Sequence, residues 1–135
     1  MMERFIKQQR KDYERALAEI RAGRKVTHWI WYIFPQIQGL GYSDMTCTYA
    51  IKDLQEAKRY IQDETLGPRL REITSSLLEV EGRSALEILG SPDDLKVKSC
   101  MTLFDFICPM DIFDKVLEKY YGGRRCERTL KTLIG

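Results

Sequence analysis

Histidine is almost missing from this chain, with His28 the only one. A two-histidine metal site is therefore excluded, and the four cysteines do not replace it. Cys47, Cys100, Cys108 and Cys126 are scattered with no CxxC pair, so they lack the ligand spacing of a structural zinc site. A chain of 135 residues can bury a core of its own without disulfide staples, so the cysteines are expected as free, mostly buried thiols. No apolar run approaches the roughly 18 residues of a membrane span. The charged start, MMERFIKQQRKDYER, lacks the apolar stretch of a secretory signal. The expectation is a cytoplasmic protein with no membrane partner. An excess of one charge is missing too. The 22 basic side chains face 20 acidic ones for a net charge of +2, which gives no reason to expect nucleic acid as a specific partner. No GxSxG, HExxH or phosphate-cradling glycine motif occurs, and no metal or cofactor is expected.

What is present is helical periodicity. Phe5, Ile6, Tyr13, Ala16, Leu17 and Ile20 trace one face of a helix from Glu3 to Ala22, which Gly23 stops. Thr27 is a cap for a short second helix through the aromatic segment, which Pro35 ends after Phe34. Gly39 and Gly41 open a loop expected to run to about Thr48, and Met45 to Ile51 is the one stretch with any strand character. Asp53 caps Leu54 to Gln62. Pro68 sits in the first turn of a helix from Leu66 to Val80. Ser84 and Glu87 form a capping box ahead of Ala85 to Leu89. Ser91 and Pro92 open a helix that reaches Phe106 and is broken by Pro109. Further helices follow from Met110 or Asp111 to Tyr120 and from Glu127 to Ile134. The spacing predicts an all-α fold, a single domain over residues 1–135 with about seven helices and no significant sheet.

Three places have residues suited to chemistry. The first is His28-Trp29-Ile30-Trp31-Tyr32-Ile33-Phe34-Pro35-Gln36. A histidine titrates near neutrality and so suits general acid or base work, though it serves equally as a turn residue bonded to backbone. The tryptophans suit either the stacking of a flat ligand or an ordinary core. After Pro35, Gln36 and the loop through Ser43 offer hydrogen-bond donors and acceptors beside an apolar wall. The second place is Ser91-Pro92-Asp93-Asp94 with Lys96 and Lys98, explained by helix capping; its two acids oppose an anion at the helix start. The third is Gly122-Gly123-Arg124-Arg125, a loop with two guanidinium groups suited to phosphate or carboxylate. The wider basic cluster, with Arg128 and Lys131, reads as solvated surface. Asp105, a carboxylate late in an apolar helix, is expected to face solvent.

Three stretches together resemble one family: the His28–Gln36 segment with Gly39, Leu40, Gly41 and Ser43; Leu66-Gly67-Pro68-Arg69-Leu70; and Gly90 to Asp94 with Lys96, Ser99 and Met101-Thr102-Leu103-Phe104. It is a bacterial all-helical domain family of unknown function, sometimes labelled calpastatin. The resemblance implies a single helical domain with no established activity. It does not imply protease inhibition, because this apolar-rich chain is unlike a disordered inhibitor. It also implies recurrent polar positions at His28, Gln36, Ser43, Arg69, Asp94, Lys96 and Ser99, and an acidic residue where this chain has Cys126.

One expectation is a small-molecule site for a nucleotide- or sugar-phosphate-like anion. Here His28 is the general acid or base, Trp29 or Trp31 stacks, Gln36 and Ser43 orient, and Arg69, Lys96 or Arg124 meets the anion. The alternative is a non-enzymatic interaction module with an exposed aromatic patch. The third reading makes the aromatic segment a folding core.

Overall fold

The computed structural model describes residues 2–135, and these form nine helices: α1 (Glu3–Arg21), α2 (Ile30–Ile33), α3 (Asp44–Tyr49), α4 (Leu54–Gln62), α5 (Leu66–Glu79), α6 (Ala85–Leu89), α7 (Asp93–Ile107), α8 (Phe113–Tyr121) and α9 (Glu127–Ile134). The all-helical expectation holds, with more helices than the seven anticipated. No strand occurs among the described residues; the nearest thing is a single bridge between Ile37 and Ile51. No helix there is long and apolar enough to cross a membrane.

Local chemistry sets most of the boundaries. The Asp53 carboxylate accepts from the Glu56 amide, and Ser84 and Glu87 exchange both bonds of the capping box, so each satisfies amides that a helix start leaves unpaired. Two expected caps do not form. Thr27 turns its hydroxyl to Glu19, and Trp29 takes the N-cap position of α2 without a side-chain capping bond. Pro92, not Ser91, precedes α7. The additional helix is α3, in the stretch read as a loop with strand character. Ser43 caps its start. Arg4 of α1 donates to the carbonyls of Thr48 and Ala50 at its end.

The helices divide by what surrounds them. α1 buries one mainly apolar stripe, which also carries Gln9 and an Asp12 paired with Arg15, and keeps most of its charge on the other face, as expected of a helix at a surface. α7 is different: every residue from Ser99 to Phe104 is buried. It packs against α4, α6, α8 and α9 and is the axis of the core. Its first turns emerge from that core, with Leu95 58% exposed. α4 and α5 meet at Gly67, where a Cβ would lie 2.2 Å from the carbonyl oxygen of Ile61; no other residue fits there.

The cysteines are all free, but only Cys100 is buried; Cys47 is exposed, and Cys108 and Cys126 are partly so. Burial holds the Cys100 thiol well above its ordinary range and keeps it neutral. Among the described residues no group of three or more His, Cys, Asp or Glu is placed to hold a metal ion.

Candidate functional site

A cleft of about 880 Å³ opens where the first turns of α7 leave the core. Three segments far apart in the chain wall it. Gln36, Leu40, Gly41 and Thr46 come from the segment after α2; Pro92, Leu95, Lys96, Lys98 and Ser99 from α7; Arg124 to Arg128 and Leu130 from the start of α9 and the connector before it.

Each wall is fixed by backbone ties. Gln36 is held by its own carbonyl, which accepts from the Ile51 amide at 2.7 Å, while the Gln38 amide donates to Ile51 at 2.8 Å. On α7, Leu95 and Ser99 are four residues apart and share a face. At about 100° per residue, Lys96 and Lys98 flank that face on opposite sides. The connector begins where Gly122, left-handed at φ 62°, ends α8, as C-terminal glycines commonly do. It is then stapled to α7. Arg125 donates to Asp105 at 3.0 Å and to the Gly123 carbonyl at 2.7 Å. The Cys126 amide donates to the Thr102 hydroxyl at 2.9 Å, and Ser99 and Thr129, both buried, share a hydrogen bond of 2.7 Å. Asp105 does not face solvent as expected: its side chain is 15% exposed and ion-paired.

The cleft's charges are unevenly matched. Arg125 is occupied by Asp105, and Lys96 lies 3.5 Å from Asp93. The Arg128 guanidinium reaches the Leu40 carbonyl across the rim at 3.4 Å. The side chains of Lys98 and Arg124 have no partner among the described residues. Only Glu127 contributes a carboxylate to the lining. Low-dielectric walls bearing one sign of charge focus the field and draw counter-charge.

Over residues 1–133 the sequence matches the family described as "Protein of unknown function (DUF1810)". The chain belongs to this family. Its fold is matched by the crystal structure of the conserved hypothetical protein Rv1873 from Mycobacterium tuberculosis, at a TM-score of 0.97 and 45% identity, covering 99% of this chain and 96% of that one. Among curated proteins nothing matches. Neither description mentions calpastatin.

Against this family fold, the residues singled out in the sequence separate into two groups. Gln36, Lys96 and Arg124 meet in the cleft. Trp31 stands beside it, partly buried, in a narrow crevice that shares Gln36 and Thr46 with the cleft. The Lys96 ammonium lies 5.3 Å from its ring centre.

The other residues lie elsewhere. Trp29 is wholly buried, and its indole N–H donates to Glu19 at 2.9 Å. It offers no surface to a ligand or to an aromatic docking patch. Glu19 also accepts from the amides of Val26 and Thr27 and from the Thr27 hydroxyl. Burial pushes this carboxyl's pKa up, but those bonds outweigh it and hold the value at about 2. His28 is exposed and outside the cleft lining; among the described residues only its carbonyl is engaged, by the Tyr32 hydroxyl at 3.3 Å. Ser43 is spent on the cap of α3. Arg69 lies over the Tyr13 ring, 5.3 Å from its centre, between α5 and α1.

Lys98, Arg128 and Leu130 were not among the expected site residues. The one signal for Lys98 and Arg128 was the excess of basic residues near the C-terminus and at the start of α7, which cannot be told from an ordinary solvated surface without the fold; Leu130 had none.

Proposed function

We propose that the cleft binds a small phosphorylated molecule of nucleotide or sugar-phosphate kind, and that this is the protein's function. The observation that supports it most is the pair of cations without partners among the described residues, Lys98 and Arg124, set beside Lys96 and Arg128 in a space of about 880 Å³. That volume suits a small organic ligand. Guanidinium and ammonium groups together suit phosphate oxygens, the first through paired donors and the second as a point charge. Leu40, Pro92, Leu95 and Leu130 give an apolar wall for the uncharged part, and Gln36 supplies donors and acceptors for its polar edge. The reading is one of binding. With His28 outside the cleft, it assigns no acid–base step.

The test is thermal unfolding with inorganic pyrophosphate, nucleotides and sugar phosphates, in the wild type and in a Lys98→Ala/Arg124→Ala variant. A ligand at a hundredfold excess over its Kd stabilises the native state by about 2.7 kcal/mol. The wild type is expected to shift upward with at least pyrophosphate, less at high salt. The variant should melt at the wild-type temperature without ligand and stay unmoved with it. No shift across the panel in the wild type overturns the proposal.

A further inference from the structure

Two charges join the aromatic segment to the cleft. The Lys25 side chain is 5% exposed. Its ammonium meets Asp93 at 2.8 Å, the Thr27 carbonyl at 2.7 Å and the Trp29 ring, whose centre is 5.0 Å away. A cation so enclosed cannot swing out without losing all three, so it is a fixed point. Asp93 is the first residue of α7. One of its carboxylate oxygens, Oδ2, takes Lys25, while the other, Oδ1, lies 3.5 Å from the ammonium of Lys96. Lys96, one turn along, rests on Trp31 and lines the cleft.

A lysine near a helix start ordinarily samples many rotamers, and ordering it on a ligand costs entropy. Here the ammonium is confined between a carboxylate and the negative face of an indole ring. At 3.5 Å from Asp93 it is held by charge and not by a short hydrogen bond, which leaves its N–H donors for another acceptor. We infer that Lys25 and Asp93 are positioning residues: through Lys96 they preorganise one anion contact of the cleft, and Trp31 serves as the rest on which that contact waits. The functional meaning of this relay depends on the proposed anion site; the placement of Lys96 does not.

Asp93→Asn discriminates by sign. Neutralising a carboxylate beside an anion site tightens anion binding if charge alone matters, whereas losing the anchor of Lys96 weakens it. The expected result is a roughly tenfold weaker Kd for inorganic pyrophosphate, the scale of one charge-assisted contact. Without ligand, the Trp31 indole N–H resonance should move in the direction it takes in Lys96→Met. The Asp93→Asn change also leaves Lys25 without its carboxylate, so a loss of folding stability accompanies this variant. Lys25→Met/Asp93→Asn removes both charges; it should recover stability and keep the weak pyrophosphate binding. Recovery of both together would show that stability alone was at work. That outcome, tighter binding by Asp93→Asn, or an unmoved Trp31 resonance overturns the inference. Pyrophosphate failing to bind the wild type would instead remove the proposed function, with the Trp31 resonance still deciding whether Asp93 places Lys96.

Discussion

Glu19 and the cleft both touch the aromatic segment, the first at Trp29 and the second at Gln36, and their charge balance is opposite. At Glu19 a single carboxylate gathers four donors from Val26, Thr27 and Trp29. In the cleft five cationic side chains face Glu127 alone among the lining residues. The first arrangement is complete and has nothing to offer a ligand. The second has two cations without partners among the described residues, a state that a fold tolerates where solvent or a ligand supplies the missing charge. Aromatic density therefore marks where the chain is held together, and unpaired charge marks where it is open to something else.

The largest effect that bears on this contrast is expected from Trp29→Ala. Removing a wholly buried tryptophan leaves a cavity and costs about 3–5 kcal/mol, and here it also takes a donor from Glu19. Urea unfolding should show that loss, while the folded fraction keeps its pyrophosphate response. A variant of normal stability that no longer responds would reverse the roles of the two regions.

Glu19→Gln is expected to cost less, about 1.5–3 kcal/mol at neutral pH, the range for hydrogen bonds to a charged group, and toward its lower end because Glu19 is partly exposed. Its distinctive feature is pH dependence. The native carboxyl titrates at about 2 against an ordinary 4.5. A depressed native pKa contributes stability that is complete above 4.5 and is lost as pH falls through 2. The gap between wild type and variant should therefore be widest at neutral pH and close between those values. Urea midpoints at pH 7, 4 and 2.5 measure it, and a gap independent of pH would mean that Glu19 acts through packing and not as an anion.

Much of the fold was legible because its determinants are local. The Asp53 cap, the Ser84–Glu87 box and the stripe of α1 are all written within a few residues of the helix they set. α3 was not legible. Met45-Thr46-Cys47-Thr48-Tyr49 mixes β-branched and aromatic residues, none of them buried, and its last carbonyls are satisfied by Arg4, 44 and 46 residues away. The site divides the same way. Gln36, Lys96 and Arg124 can be singled out one at a time by residue type, but their convergence depends on ties such as Thr102 to the Cys126 amide and Arg125 to Asp105. Those ties leave no periodic trace. Trp29 fills the core, and nothing in the sequence says so, since a tryptophan is conspicuous whether it lines a pocket or fills a core.

The smallest expected effect is that of His28→Ala. His28 was the natural choice for acid–base chemistry, being the chain's single histidine beside its densest aromatic run. Its side chain is exposed and lies outside the cleft lining, and the one bond at this residue is made by its carbonyl, which alanine keeps. Surface substitutions without a specific partner stay within about 0.5 kcal/mol, so unfolding and pyrophosphate affinity should both match the wild type. A variant that folds normally yet binds pyrophosphate more weakly would sharpen the contrast differently: it would extend the cleft toward α2, and place the aromatic segment on the binding side of the molecule as well as in its core.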